Sequence, residues 1–292
     1  MMDLTNCIKK KKTFNGANGT KISVIYNEEQ YMLKFPNLAY KNPRLHYSSS
    51  IISEYIGSHI FNIIGIPAQE TYFGNYIYEG KKRIVVACKD ITKPGVIIQD
   101  FASLKNTIID SSTNGYGTDI EELMEVMRNQ DQIDSMKLIN RFWDMFIVDA
   151  LIANMDRHNG NWGFLYDTLT DEIKLAPVYD CGSSLYPQAD EEIMKKCLYD
   201  IREINIRVYD FPNTPLKYKG ERVNYFNFIS SLEYTECNKA LKRIFPLINM
   251  EKIYKLIEDI EIISDLQKQF YKKMLKERYE KILKFSYDKL NK

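Results

Sequence analysis

The sequence lacks the features typical of secreted, membrane-spanning and nucleic-acid-binding proteins. Its five cysteines are scattered and form no C-x-x-C pair, which predicts reduced thiols in a cytosolic protein instead of a disulfide framework or a zinc site. No run of about eighteen apolar residues occurs, so no transmembrane helix is expected. Forty basic and thirty-nine acidic residues give a net charge of +1, and this balance excludes a global attraction to nucleic acid or to an acidic membrane.

The amino terminus has no apolar stretch after its basic run, Lys9-Lys10-Lys11-Lys12. An ordinary cleaved signal peptide is therefore not expected. We expect a cytoplasmic protein. The sequence has no internal repeat and no long linker, and its 292 residues suit one large domain or two lobes.

The residue pattern changes once along the chain. Up to about residue 90, β-branched and aromatic runs separated by turn residues predict strands at residues 22–26, 31–35, 71–76 and 84–88. Residues 51–64 have helical spacing, with serines at 48–50 as candidate caps and Gly65 as a stop. Helical patterns dominate from about residue 100, including an amphipathic stretch at 250–290. We predict an α+β fold with a small β-rich lobe (residues 1–90), a larger helical lobe (residues 91–292) and a cleft between them.

The most informative motif runs from Asp156 to Asn161 and is followed nineteen residues later by Asp180-Cys181-Gly182. Protein kinases use this spacing to arrange a base and two metal ligands around the terminal phosphate of a nucleotide. Asp156 is predicted to accept the proton of the acceptor hydroxyl, and Asn161 and Asp180 offer the hard oxygen ligands that Mg²⁺ prefers. The alternative is a polar loop whose side chains only satisfy one another. A long apolar helix pattern before the motif and a strand pattern after it favour a functional site.

Two features of the first lobe fit the same chemistry. The glycines and Asn of Gly16-Ala17-Asn18-Gly19-Thr20 allow backbone N–H groups to wrap a phosphate, although a plain turn is the alternative. Lys34 interrupts an apolar strand pattern, where a cation is costly unless it is paired. Glu54 on the following helix is the candidate partner. A lysine that extends from an edge strand into solvent is the alternative.

Together these segments resemble the C-terminal domain of the HipA-like serine/threonine kinases, and the short bacterial members most closely. The resemblance covers most of residues 14–212. It is carried by the following segments: Gly16-Ala17-Asn18-Gly19, Lys34-Phe35-Pro36, Ser53-Glu54-Tyr55, Val85-Val86-Ala87-Cys88-Lys89-Asp90, Phe142-Trp143-Asp144-Met145-Phe146, residues 154–163 and Pro177-Val178-Tyr179-Asp180.

The resemblance implies a role for each matching residue. Asp156 would be the catalytic base, His158 would organise its loop, and Asn161 and Asp180 would hold Mg²⁺. The residues implied to bind ATP are Gly16, Ala17, Asn18, Gly19, Thr20, Lys34, Glu54, Val86, Ala87, Cys88 and Asp180, with residues 86–89 as a hinge whose backbone groups contact the adenine. Asp180-Cys181-Gly182 lacks the phenylalanine of ordinary eukaryotic-type kinases, so switching by movement of that ring is not assumed.

The resemblance predicts an ATP- and Mg²⁺-dependent serine/threonine protein kinase. Its expected partner is a protein substrate, either a bacterial translation factor or a host protein, with no obligatory nucleic acid and no membrane. A host substrate would require secretion or translocation into host cells without an N-terminal signal peptide. Autophosphorylation is expected in the loop over the phosphates, where Thr20 and Ser23 are the candidate acceptors. The antitoxin- and DNA-associated behaviour of full-length HipA is not carried over, and the sequence leaves the oligomeric state open. A small-molecule kinase of the aminoglycoside or choline type and a non-catalytic nucleotide-binding module are the alternatives.

Overall fold

The N-terminal part of the chain forms a curled six-stranded sheet and one long helix. The structure is a computed structural model, which describes residues 1–13, 20–108 and 115–292. The strands occur in the sheet in the order β1-β5-β6-β4-β3-β2, antiparallel except for β1 on β5. Their bounds, with those of the helix, are β1 (Met2–Asp3), β2 (Ile8–Lys10), β3 (Lys21–Tyr26), β4 (Glu29–Lys34), α1 (Ser50–Ile64), β5 (Thr71–Tyr78) and β6 (Lys81–Lys89).

The two faces of this sheet bury different sets of side chains. Successive side chains of a strand point to opposite faces. Tyr31 and Leu33 accordingly join a small core on one face, while Met32 packs against the main core on the other face. Lys34 continues this alternation and faces the side of the main core and α1.

Helix α1 begins and ends within one residue of its predicted bounds. Ser49 occupies the N-cap position but makes no side-chain capping hydrogen bond, and Gly65 ends the helix with a φ of +93°, which glycine adopts at little cost. The apolar residues Ile56, Ile60 and Phe61 are fully buried. Glu54 is also buried, with 1% of its surface exposed, so its charge requires a partner.

The rest of the described chain is mainly helical. Two short antiparallel sheets accompany the helices, one of β7-β8-β9 and one of β10-β11. The helices and strands are β7 (Val96–Asp100), α2 (Phe101–Ile108), α3 (Ile120–Asn129), α4 (Ser135–Ile152), β8 (Gly163–Asp167), β9 (Glu172–Leu175), α5 (Glu191–Tyr199), α6 (Ile201–Asn205), β10 (Asn213–Tyr218), β11 (Glu221–Asn224), α7 (Tyr225–Ser231), α8 (Thr235–Ile244), α9 (Met250–Glu258), α10 (Asp265–Arg278) and α11 (Phe285–Leu290).

Helix α4 is the central element of this half of the molecule and leads directly into the loop of residues 153–162, the motif loop, which contains Asp156 and Asn161. The Asp134 carboxylate caps it by accepting from the backbone N–H of Lys137, and Ala153 ends it in a left-handed conformation. Strand β8 follows the loop, and the start of α2 also contacts it, since the N–H groups of Phe101 and Ala102 donate to carbonyl oxygens at Trp162 and Asn159. The motif loop is therefore fixed at both ends.

The C-terminal residues pack as their amphipathic pattern predicts. Ile253 and Ile257 of α9 are fully buried, and Leu256 packs partly buried against the same core. Within residues 1–13, 20–108 and 115–292, no helix combines the length and the apolar character needed to cross a membrane. The predicted α+β architecture is confirmed, whereas the lobe boundary at residue 90 stays a prediction.

Candidate active site

The motif loop holds Asp156 and Asn161 next to each other through its own hydrogen bonds. The Asn161 side-chain amide Nδ2 donates to the backbone oxygen of Asp156 at 2.8 Å, and the Asp156 N–H donates to Asn154 Oδ1 at 3.1 Å. Asn154 is in turn fixed, because its Nδ2 donates to Asp149 of α4 at 2.9 Å. These bonds leave the Asp156 carboxylate half-buried at the surface of the loop.

His158 shapes the far side of this loop. Its Nδ1 accepts from the backbone N–H of Gly160 at 3.0 Å, so in this arrangement that nitrogen carries no proton. Its backbone N–H donates to the Asp156 carbonyl at 2.9 Å. Both bonds fit the predicted role of organising the loop, a role that stays a prediction.

A buried arginine connects the motif loop to the loop that carries Asp180. The Arg157 side chain, 7% exposed, forms an ion pair with Asp149, which is 1% exposed, with Nε 3.0 Å from Oδ2. Its Nη1 donates to the carbonyl oxygens of Asn161 at 2.7 Å and Tyr179 at 2.5 Å. Burial opposes the charge of this guanidinium, but the nearby Asp149 carboxylate outweighs it and raises the pKa of Arg157. One cation thus fixes the backbone at both predicted metal ligands.

Lys34 joins the first lobe to the same place. Its Nζ lies 2.9 Å from Glu54 Oε2 and 2.9 Å from Asp180 Oδ1. Glu54 uses its other oxygen, Oε1, to accept from the backbone N–H of Cys181 at 3.2 Å. The lysine strand, the α1 glutamate and the Asp180 loop therefore form one connected group. Of the two readings of Lys34, the paired lysine is the one present.

The charges of this group shift its pKa values in opposite directions. The Lys34 ammonium lowers the pKa of Asp180 to about 2. Burial opposes the charge of Lys34, but the carboxylates of Asp180 and Glu54 outweigh it and raise its pKa well above the usual range. Burial raises the pKa of Asp156, and the nearby Asp180 carboxylate raises it further. At neutral pH the site thus holds an ionised Asp180 beside a charged lysine, and an Asp156 that takes up a proton more readily than an exposed aspartate.

The residues predicted to bind metal offer few but suitable donors. Asp180 lies deep between the loops, yet 39% of its side chain is exposed, and Lys34 occupies only Oδ1. Because Asn161 donates through Nδ2, its Oδ1 is left as an acceptor, and no described residue donates to that oxygen. Among the described residues no cluster of three His, Cys, Asp or Glu could hold a metal alone. Mg²⁺ is commonly bound by one or two protein oxygens together with substrate phosphates and water. The free oxygens of Asp180 and Asn161 fit this coordination.

The structure corrects the predicted hinge. Val86, Ala87 and Cys88 are fully buried in the middle of β6, which pairs with β4 on one side and β5 on the other. With strands on both sides, the sheet already uses their backbone N–H and C=O groups, so backbone contacts to adenine from these three residues are wrong. The side chains of Val86 and Cys88 join the same core as α1, and any contact of these side chains with ATP stays a prediction.

The predicted phosphate loop is only partly described. Gly16, Ala17, Asn18 and Gly19 lie outside the described residues. Thr20 is exposed, and its carbonyl accepts from the Phe35 N–H at 3.3 Å. Next to it, Lys21 pairs in register with Lys34, and burial followed by repulsion from Lys34 lowers its pKa. A second lysine therefore lies at the edge of the site.

Sequence reasoning missed the two residues that hold the loops, Arg157 and Asp149. A signal was present, because Asp149 interrupts the apolar run of α4. A carboxylate on a buried helix face needs a cationic partner, and an arginine follows eight residues later.

Comparison with known proteins agrees with this geometry. The family model of the HipA-like C-terminal domain matches residues 13–214. The chain belongs to the HipA-like family. Serine/threonine-protein kinase CtkA of Helicobacter pylori strain J99 is 43% identical over 276 residues, which make up 94% of this chain and 84% of that protein.

Solved structures give the same result. The crystal structure of the H. pylori proinflammatory kinase CtkA matches with a TM-score of 0.93 at 42% identity, covering 99% of this chain and 97% of that chain. HipA of Shewanella oneidensis MR-1, solved with HipB and operator DNA, matches with a TM-score of 0.58 at 14% identity, covering 97% of this chain and 68% of that chain. The latter likeness concerns the fold alone. The predicted HipA-like fold, the likeness to a short bacterial member and the enzyme class, a serine/threonine protein kinase, are confirmed.

Proposed function

We propose that this protein transfers the γ-phosphoryl group of ATP, with Mg²⁺, to serine or threonine hydroxyls of a protein substrate. The observation that carries the proposal is the group around Lys34, whose Nζ contacts Glu54 and Asp180 at 2.9 Å each. A lysine held between a helix glutamate and the metal-binding aspartate is the arrangement with which kinases bind a nucleotide triphosphate. The name of CtkA as a serine/threonine-protein kinase supports a protein acceptor.

In this proposal each residue has one task. Asp180 Oδ2 and Asn161 Oδ1 would hold Mg²⁺, which offsets the charge of the phosphate oxygens when bound. Lys34 would exchange part of its contact with Asp180 for phosphate oxygens, while Glu54 keeps its ammonium in place. Asp156 would accept the proton of the acceptor hydroxyl, and its raised pKa suits that task because a base works best with a pKa nearer the working pH.

We propose further that residues 1–90 form the nucleotide-binding lobe and residues 91–292 the lobe that carries Asp156, Asn161 and Asp180. The nucleotide would lie between them. The proposed partner is a protein with an accessible hydroxyl, and the proposal requires neither nucleic acid nor a membrane.

Labelled ATP tests the function directly. Purified protein is incubated with γ-labelled ATP and Mg²⁺, with a generic basic protein in one arm and choline or an aminoglycoside in the other. We expect label in the basic protein and none in the small amine. Label in the small amine would favour the small-molecule kinase, and ATP binding without any transfer would favour a non-catalytic module.

Replacing Asp156 with asparagine tests the base. Asp156→Asn should lower transfer by roughly 10²–10⁴, the usual contribution of a positioned general base, and should leave nucleotide binding nearly unchanged. Asp288→Asn is the matched control, because it removes an exposed carboxylate of α11 that is paired with Lys284. This variant should transfer phosphate at the wild-type rate. Near-normal turnover of Asp156→Asn would remove this residue from the role.

Autophosphorylation of the loop over the phosphates belongs to the same proposal. Of the two candidate acceptors, Ser23 is 1% exposed and its hydroxyl accepts from Gln30 at 3.0 Å, whereas Thr20 is exposed. We therefore assign the modification to Thr20. A phosphate there would add about −1.5 to −2 charges beside the site of the ATP phosphates and weaken ATP binding. Mass spectrometry after incubation with ATP, with and without Thr20→Val, tests this assignment: phosphate found only elsewhere would contradict it.

A further inference from the structure

We propose that Tyr116 is a specificity-determining residue, whose ring receives a large apolar side chain flanking the acceptor hydroxyl of the protein substrate. The inference rests on the proposed function, since it concerns the acceptor side of the same site. Tyr116 is 52% exposed, and its ring lies 6.2 Å from the ring of His158 at an angle of 58°. His158 is two residues from Asp156, so the exposed aromatic ring borders the proposed base.

Two buried side chains hold the backbone around Tyr116. Asn159, 1% exposed, donates through Nδ2 to the carbonyl oxygens of Gly115 at 2.7 Å and Gly117 at 2.8 Å. The fully buried Lys105 donates to the same Gly117 oxygen at 2.7 Å. The two residues that flank Tyr116 are thus fixed by the motif loop itself and by α2.

Close packing further restricts this segment. Gly115 has a φ of +77°, and a Cβ at that position would lie 1.9 Å from the carbonyl oxygen of Ala102. A Cβ on Gly160 would lie 3.0 Å from His158 Cε1 and 3.1 Å from Tyr116 Cε1. The glycines allow the segment to lie directly on α2 and allow the two rings to approach the motif loop.

An exposed ring on a backbone held by hydrogen bonds to buried side chains is suited to recognition. Apolar side chains that pack on an aromatic ring gain contact area, and tyrosine has few rotatable bonds to restrict. Because Asn159 and Lys105 have already fixed the backbone, a substrate does not have to order it on binding. Nothing in catalysis requires an aromatic ring at this position, and the proposed phosphate-binding residues lie on other segments. What distinguishes Tyr116 from other exposed tyrosines is its place beside the motif loop.

The test is a positional-scanning library of serine/threonine peptides, in which each position around the acceptor is fixed in turn as each amino acid. The wild-type protein should favour large aliphatic or aromatic residues at one flanking position by roughly tenfold, which is about 1.4 kcal/mol. Tyr116→Ala should lose this preference, and Tyr116→Phe should retain it. Tyr199→Ala, which removes a tyrosine that is 85% exposed on α5, is the control and should give the wild-type profile.

Kinetics separate recognition from damage to the site. With the preferred peptide, Tyr116→Ala should raise the peptide KM roughly tenfold while the KM for ATP stays within twofold of the wild-type value. An unchanged peptide profile in Tyr116→Ala, a profile without preference in an active wild type, or equal changes in both KM values would each overturn the inference. Absence of transfer by the wild type to any peptide or protein would instead refute the proposed function, and the inference with it.

Discussion

Replacement of Arg157 by methionine separates the residues proposed to do the chemistry from those that hold them in place. Methionine fills similar apolar space but removes the charge and every hydrogen bond of the guanidinium. It leaves Asp149, 1% exposed, without its ion-pair partner. Removing one member of a buried pair typically costs about 3–5 kcal/mol. At about 2–4 °C per kcal/mol for proteins approaching this size, the midpoint of thermal unfolding should fall by roughly 6–20 °C.

Loss of stability alone does not reveal a positioning role, so a double variant is needed. Arg157→Met with Asp149→Asn removes both charges, and the asparagine keeps a side-chain oxygen for Asn154. Much of the unfolding free energy should return, since the unpaired buried carboxylate is gone. The carbonyls of Asn161 and Tyr179, however, still lack the donor that held them at 2.7 and 2.5 Å. A displacement of about 1 Å in a reacting group can cost roughly 10² in rate.

We therefore expect kcat to be roughly 10²-fold lower than in the wild type in both variants, and both should need more Mg²⁺ for half-maximal activity. Only the single variant should have a strongly lowered midpoint of thermal unfolding. The assay measures the rate of phosphoryl transfer as a function of Mg²⁺ concentration, at a temperature well below the unfolding midpoint of each variant. Arg243→Met is the control, because Arg243 is paired with Asp144 of the same helix, α4, but does not contact the two loops. Full turnover in the double variant would refute the positioning role, as would an Arg243→Met variant with the same loss of activity.

Three further results are expected. Lys34→Met should abolish most activity while the protein stays folded, since methionine keeps the apolar stem and removes the charge that contacts Glu54 and Asp180; a fully active variant would move the phosphate contact to Lys21. Asp180→Ala should weaken ATP binding measured by calorimetry when Mg²⁺ is present, because a metal ligand is lost, and equal affinity would contradict the assignment. The pKa of Asp180 is lowered to about 2, so its contribution to stability is complete above about pH 4 and is lost as the pH falls towards 2. The difference in unfolding midpoint between wild type and Asp180→Asn should therefore narrow between pH 4 and pH 2, and a constant difference would argue against the Lys34 contact.

The sequence predicted the parts of the site that lie close together in the chain. Asp156 and Asn161 share one short loop, and a short loop between a buried helix and a buried strand can adopt few conformations. The start and end of α1 could also be predicted, because helical spacing and Gly65 are local signals. The β-branched and aromatic runs likewise predicted strands at the places of β3, β4, β5 and β6.

Contacts between distant segments were harder to predict. Glu54 was the candidate partner of Lys34, twenty residues away. The second contact of Lys34, with Asp180, spans 146 residues, and no local pattern indicates that the two would meet. The hinge was wrong for a related reason. Residues 84–88 read correctly as a strand, but its place between β4 and β5 depends on sheet order, and that order decides whether backbone groups are available to a ligand.

Residues proposed to act in the reaction can be recognised from a sequence motif, whereas residues that hold them in place are recognised in another way. Asp156, Asn161 and Asp180 are the residues proposed to contact the acceptor and the metal, and their spacing matches a motif that can be recognised in a sequence. The cations beside them, Lys34 and Arg157, contact carboxylates and carbonyls of other segments. Their signature is an energetic conflict: a charge placed where apolar residues are expected, which is stable only if a distant partner neutralises it. Lys34 was found by this conflict, and the same argument applied to Asp149 in α4 leads to Arg157.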